Sequence, residues 1–273
     1  MKKDHSQFAV HHFDCLETTS FSPKEYSLLK FGVDSVARKF ATSLADNLFE
    51  AHSSDLISSR SVVIPSPYNH VANAATIMTR HFVDRLNHHL VSNSGEHCDY
   101  STIHRKVSYI SDYGFLPAEQ RKKLIDGDDF YFNPEFYKDK TIIFVDDVRI
   151  TGTHEIKLVE LMEAHGIKNK CIFAYYAMYH GERPNVEAEI NFAGIKNVQD
   201  FLEIAVREDD FNLIVRPIKF ILGLKKDEIL VFLKTISPKM VAELYHGCLG
   251  EGYYKIPAYQ ANFKLIQEQY QKI

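Results

Sequence analysis

Residues 141–154 read TIIFVDDVRITGTH, and this segment constrains the fold more than any other stretch of the chain. An apolar, β-branched run from Thr141 to Val145 ends in two adjacent acids, Asp146 and Asp147. A short turn is expected over Val148 to Thr153, containing Thr151-Gly152-Thr153. A helix-period run then places Ile156, Val159 and Met162 on one face. Strand, acidic pair, Thr/Gly turn and helix in that order suit an open α/β sheet, whose ligands sit at the carboxyl ends of strands. Successive backbone N–H groups opening a helix attract anions. Two carboxylates beside them accept hydrogen bonds from a vicinal diol, or hold Mg²⁺ through water. A sugar phosphate presents all of these groups at once.

The rest of the chain supports such a sheet. Phe8 to Phe13 reads as a short strand, and Pro23 opens a helix over 22–30. Asp34 is placed to cap a longer helix to about residue 51. Ser61 to Pro65 is a short buried strand, followed by the loop Pro65-Ser66-Pro67-Tyr68-Asn69 and a helix over 70–90. Residues 92–102 read as loop and 103–110 as a strand. Pro117 starts a helix that stops at Asp126-Gly127, and Phe130-Tyr131-Phe132 looks like a strand. Lys170 to Tyr179 is a β-rich run, and Val186 to Phe192 is expected to be a final strand. Strands and helices alternate over 61–192, which implies a mostly parallel sheet flanked by helices. Beyond about 194 only helical patterns recur, over 197–207, 226–236, 237–247 and 258–271. Ser237 stands there as an N-cap and Pro238 as the first helical residue. The expected organisation is an N-terminal helical segment (1–54) packed on an α/β core (55–195), followed by a helical C-terminal cap (196–273).

Composition excludes several classes. Of 273 residues, 45% are hydrophobic, enough for one large domain with an appendage. A net charge of −4 argues against bulk nucleic-acid binding, so no nucleic-acid partner is expected. Cys15, Cys98, Cys171 and Cys248 form no CxxC pair and read as free thiols of a reducing compartment. No apolar run approaches the ~18 residues of a membrane span, and residues 1–15 lack the apolar stretch of a signal peptide. A cytoplasmic protein is the expectation. His11, His12, His88, His89, His97 and Cys98 fit no zinc spacing.

The string Val145-Asp146-Asp147-Val148-Arg149-Ile150-Thr151-Gly152-Thr153 resembles the phosphoribosyl pyrophosphate (PRPP) signature of type I phosphoribosyltransferases. The resemblance implies a type I phosphoribosyltransferase-like α/β fold. It also implies that Asp146 and Asp147 bind the ribose hydroxyls and place Mg²⁺ through water. The stretch Val148, Arg149, Ile150, Thr151, Gly152, Thr153 and His154 would then hold the 5′-phosphate. Val62 to Asn69 is similar to the family's first strand and pyrophosphate loop, which assigns Ser66, Pro67, Tyr68 and Asn69 to the diphosphate. Residues 103–132 look similar to ComF-like members. There a basic pair, here Arg105 and Lys106, and a helix with a basic residue, here Arg121, neutralise pyrophosphate. A long ComF-like chain of this kind also resembles the members associated with tellurium-resistance gene clusters.

Three positions depart from the pattern. Arg149 stands where the family usually has an apolar residue, and His154 where Thr or Ala is common. Ile150 replaces a Thr, or an Asp that assists proton movement on a purine ring, which argues against purine salvage. A nucleotide-hydrolase reading of the acidic strand would need a G-x-x-x-x-G-K-[ST] loop upstream, and none occurs. Helix capping is the plainer role for the acids. The resemblance implies an Mg²⁺-dependent transferase acting on PRPP and a small, nucleobase-like acceptor, with a homodimer as the expected assembly. Two rivals stand beside it: a non-catalytic PRPP or nucleotide sensor, and a scaffold whose helical cap binds a partner.

Overall fold

The β-branched and aromatic runs pair side by side in one all-parallel sheet. The computed structural model describes residues 5–103, 134–183 and 185–273. Among these, the strands are β1 (His5–Phe13), β2 (Ser61–Pro65), β3 (Asp99–Tyr100), β4 (Thr141–Arg149) and β5 (Cys171–Tyr179). Their spatial order is β1-β5-β4-β2-β3. The helices before and within the sheet are α1 (Pro23–Lys30), α2 (Asp34–Ser58), α3 (Ala74–Ser92), the single turn α4 (Pro134–Tyr137), α5 (Thr153–Ala164) and α6 (Val186–Asn191). Beyond them lie α7 (Val198–Ala205), α8 (Val215–Leu222), α9 (Lys226–Thr235), α10 (Pro238–Gly250) and α11 (Gln260–Tyr270).

β2 and β5 are buried along their whole length, as strands covered on both faces must be. One face packs Val63, Ile143, Val145 and Ile172 against Leu44 and Leu48 of α2 and Phe82 and Leu86 of α3. The opposite face packs Ile64, Phe144 and Phe173 against Leu158 and Met162 of α5. A second core fills the C-terminal cap with Phe201, Ile218, Ile221, Phe232, Leu244 and Ile266, and Phe31 from the end of α1 enters it. Two backbone links hold the cap to the sheet layer: Asn212 N–H donates to the Gly32 carbonyl (2.8 Å), and Val215 N–H to that of Ala72 (3.0 Å). No helix among the described residues is long and apolar enough to cross a membrane.

Several expectations are corrected. Val186 to Phe192 is not a strand: its alternating Val, Glu, Ala, Glu, Ile pattern is also that of a short helix. Over six residues the two periods scarcely separate, and two glutamates in the first turn favour the helix. Asp34 is not the cap of α2; Val33 holds that position, and the Asp34 carboxylate turns to His81 Nε2 (2.9 Å) and Asn212 Nδ2 (3.1 Å). α3 starts at Ala74, where Asn73 accepts from Thr76 N–H, rather than at His70. The 92–102 loop contains β3. β4 runs on through both acids to Arg149, so the turn is shorter than expected. Ile156 is 54% exposed; Met162 is buried as expected, but Glu155 and Leu158 share the buried face of α5 with it. The expected elements at 103–110, 117–126 and 130–132 fall on residues 104–133, outside the described residues apart from Ile103. Pro23 opens α1, and Ser237 caps α10 with Pro238 at the next position, as read; Ser22 caps α1.

All four cysteines are unpaired, and burial pushes the Cys98 and Cys248 thiols up to about 12. A thiol kept protonated and covered is a poor nucleophile. Ellman's reagent at pH 8 is expected to label half-buried Cys15 quickly, and Cys98 and Cys248 only after unfolding. Rapid labelling of either in the native protein, located by mass spectrometry, would contradict this burial.

Candidate functional site

The carboxyl ends of β2 and β4 open into a cavity of about 340 Å³. Its lining runs from Asp146 to Glu155 without a break, and adds Ser66, Asn73, Ala74 and Ala75. Tyr26 and Lys30 reach it from α1, and the cap closes it with Arg216, Lys219 and Phe220 of α8 and with Tyr259. Three helices therefore present their first residues to one space: α3 at Ala74, α5 at Thr153 and α8 at Val215. Each helix start carries partial positive charge and N–H groups without intrahelical partners.

Successive strand residues point to opposite faces, and this splits the acidic pair. Asp147 turns towards α1 and is buried. Its Oδ1 accepts from the Tyr26 hydroxyl (3.0 Å) and Val148 N–H (2.7 Å), and its Oδ2 from Lys30 Nζ (2.6 Å). Burial, and then the Asp147 charge, raise the Tyr26 hydroxyl well above its ordinary value, so it stays a donor. Asp146 turns towards α5. Its Oδ1 accepts from Asp147 N–H (2.9 Å), and its Oδ2 lies 3.4 Å from His154 Nδ1. Burial works to raise the Asp146 carboxyl, but His154, with Lys30 and the Asp147 N–H, holds it below the usual value and therefore ionised.

The turn after β4 is Ile150 to Gly152, with Gly152 at φ +71°, a conformation that glycine adopts without strain. Thr151 and Thr153 share a hydroxyl hydrogen bond of 2.7 Å across it. Arg149 folds back over this turn, and Glu155, a buried residue of α5, accepts from its Nε at 2.9 Å. Glu155 also accepts from Gln7 Nε2 (2.7 Å) and the Tyr175 hydroxyl (3.0 Å). Burial, then Glu155, raises that hydroxyl's pKa.

The cavity brings together Asp146, Asp147, Val148, Arg149, Ile150, Thr151, Gly152, Thr153, His154 and Ser66 of the residues expected from sequence. Pro67, Tyr68 and Asn69 are not among its lining. The next two backbone N–H groups, of His70 and Val71, donate to Glu251 Oε1 of the cap (2.9 and 2.7 Å). Arg105, Lys106 and Arg121 lie outside the described residues. Sequence reasoning missed Tyr26, Lys30, Glu155 and the whole of α8. Only α8 left a clear signal, with Ile214, Ile218, Ile221 and Leu222 at helical spacing.

A family model described as PRTase ComF-like matches residues 5–266. No curated protein matches the chain. A hypoxanthine-guanine phosphoribosyltransferase from Schistosoma mansoni, solved with IMP, is similar at 12% identity and a TM-score of 0.32; the match covers 56% of this chain and 64% of that one. A hypoxanthine phosphoribosyltransferase from Staphylococcus aureus matches at 10% identity and a TM-score of 0.32, covering 54% of this chain and 77% of that one.

Proposed function

Since the chain belongs to the ComF-like phosphoribosyltransferase family, we propose that it binds PRPP with Mg²⁺ and transfers the phosphoribosyl group to a nucleobase-like acceptor, releasing pyrophosphate. The observation that carries this reading is the convergence of three helix N-termini and the β4 acids on one cavity. Such a site suits a polyanion with a diol. The 5′-phosphate belongs at the Ile150–Thr153 turn and the ribose hydroxyls at Asp146, with Asp147 braced behind it. Pyrophosphate belongs at Ser66 and the start of α3, with the loop through Asn69, and with Arg105 and Lys106. The acceptor would enter beside Phe220 and Tyr259.

The donor set fits Mg²⁺, which takes oxygen ligands and keeps most of its water. Asp146 would hold it through water. Asp147, already accepting from three donors, fits only as a more distant support. Bound Mg²⁺ would neutralise charge on the leaving pyrophosphate. The chain's own contribution is positioning and electrostatics. Ionised Asp146 steadies positive charge developing on the ribose, and Tyr26 and Lys30 fix the neighbouring acid.

The test is calorimetric titration of PRPP with Mg²⁺ into the wild type and Asp146→Asn. Micromolar binding that weakens at least about tenfold in the variant is expected, from loss of a charge-assisted hydrogen bond. No binding by the folded wild type would overturn the reading. A sensor reading is favoured by Ile150, which offers no acid or hydroxyl for proton transfer at the loop. Pyrophosphate release with a panel of nucleobases separates the two, since a sensor binds PRPP and releases none.

A further inference from the structure

The segment that joins β2 to α3 lines the cavity only at its two ends. Ser66 stands at one end, and Asn73 with Ala74 and Ala75 at the other. The ends are tied to the sheet and to each other. Ser66 N–H donates to the Val145 carbonyl (3.1 Å), and Asn73 Nδ2 to the carbonyls of Ser66 (3.2 Å) and Pro67 (3.3 Å). The middle of the segment belongs to the cap. Glu251 Oε1 accepts from both His70 N–H (2.9 Å) and Val71 N–H (2.7 Å), and the Ala72 carbonyl accepts from Val215 N–H (3.0 Å). The Val71 side chain packs against the cap core. The His70 imidazole lies against Gly250, where an added Cβ would run into the ring.

Glu251 is an expensive residue to place here. An acid at the end of α10 meets the negative end of that helix's dipole, so its own helix disfavours it. It is also only 6% exposed, and a buried carboxylate needs donors. The His70 and Val71 N–H groups supply them. Neither Glu251 nor these two residues line the cavity, so the carboxylate does not compete with a ligand for the same donors. Its effect on the site is indirect. With the middle of the segment fixed, Ser66 and the start of α3 face the cavity at a set spacing.

We propose that Glu251 is a positioning residue: from the helical cap it holds the 66–73 segment in the shape that presents Ser66 and the start of α3 to pyrophosphate. The inference rests on the phosphoribosyl reading above and gives the cap a part in it. The pyrophosphate end of the cavity then depends on the cap, whereas the Ile150–Thr153 turn is held by β4 and α5.

PRPP with Mg²⁺ is the probe, titrated by calorimetry into the wild type, Glu251→Ala and Glu251→Gln, with thermal melts as the check of folding. Hydrogen–deuterium exchange with and without saturating PRPP then locates the effect. In the wild type the ligand is expected to slow exchange both at residues 66–76 and at 150–154. Glu251→Ala is expected to bind about tenfold more weakly, as for contacting groups misplaced by less than about 1 Å. It should also lose the ligand's protection at 66–76 while keeping it at 150–154, a split that general loosening of the fold would not produce. Glutamine keeps an oxygen for the two N–H groups and is expected to regain most of both. Wild-type affinity in folded Glu251→Ala would overturn the inference and leave the phosphoribosyl reading standing. So would equal loss of protection at both places, or a wild type in which PRPP protects 150–154 but not 66–76. A folded wild type that binds no PRPP would bring down the phosphoribosyl reading, and this inference with it. If Glu251→Ala fails to fold, Glu251→Asp decides the matter: its carboxylate stops one methylene short, so the same loss confined to 66–76 is expected, and wild-type affinity there overturns the proposal.

Discussion

Gly32→Ala is expected to destabilise the protein by roughly 3–5 kcal/mol, combining left-handed backbone strain with overpacking. Gly32 turns the chain from α1 into α2 at φ +94°, where a side chain is strained whatever the space around it. There is also no space, because an added Cβ would run into the backbone carbonyl of Asn212. That carbonyl belongs to the segment leading into α8 and cannot swing away as a side chain would. Asn212 N–H donates to the Gly32 carbonyl, and Val33 bridges to Phe211, so sheet layer and cap are joined at this point. Urea denaturation at 25 °C reads the effect directly. A loss under about 1 kcal/mol would mean that the join yields, and that backbone contacts here do not fix the cap.

The second large effect is expected at Asp147. Its replacement by alanine leaves Lys30 in a cleft with its side chain 16% exposed and without its ion-pair partner, and strips acceptors from Tyr26 and Val148 N–H. Breaking a buried pair from one side typically costs about 3–5 kcal/mol. Removing both charges is milder, so Lys30→Met with Asp147→Ala is expected to regain at least about half of the loss. A double-mutant cycle measured without ligand gives the coupling. Were the double variant no more stable than Asp147→Ala, Lys30 would be reaching water, and the pair would not brace the site. The comparison also separates two duties of this acid, since its role in the fold is measured before any ligand is added.

Local patterns were legible where one physical rule dominated. Ser61–Pro65 is bounded by turn residues and wholly apolar in its middle, and it is a strand to the residue. Ser237-Pro238 pairs a capping hydroxyl with a residue that has no N–H to waste, and it starts α10. The acids, the Thr/Gly turn and the following helix could be read because all lie within one short stretch. Contacts between distant segments were not legible. Nothing in the spacing of Tyr26 and Lys30 says that they meet Asp147, more than a hundred residues later. Glu155 reads as an ordinary surface acid in a helix's first turn until Gln7 and Tyr175 enclose it. α8 was missed because Pro217 reads as a breaker, although in the first turn of a helix its missing N–H is no loss. The loop through Tyr68 and Asn69 looked like a free anion nest, but the N–H groups just beyond it are claimed by Glu251 from the cap, a partner no local pattern announces.

The pairing of β1 with β5 has a consequence for how the molecule is made. Phe13 ends one strand and Cys171 begins its partner, so about 160 residues of chain separate the two. During synthesis at roughly 5–20 residues per second, β1 waits on the order of ten to thirty seconds before its neighbour exists. A bare, apolar strand would spend that time seeking other edges. β1 instead carries His5, Ser6, Gln7, His11 and His12 among its apolar residues, polar groups that keep it hydrated while alone. Its docking also matters to the cavity: Gln7 reaches Glu155, and through it Arg149, only once β1 has paired with β5. The Arg149–Glu155–Gln7 contact therefore joins two parts of the chain that are made far apart in time.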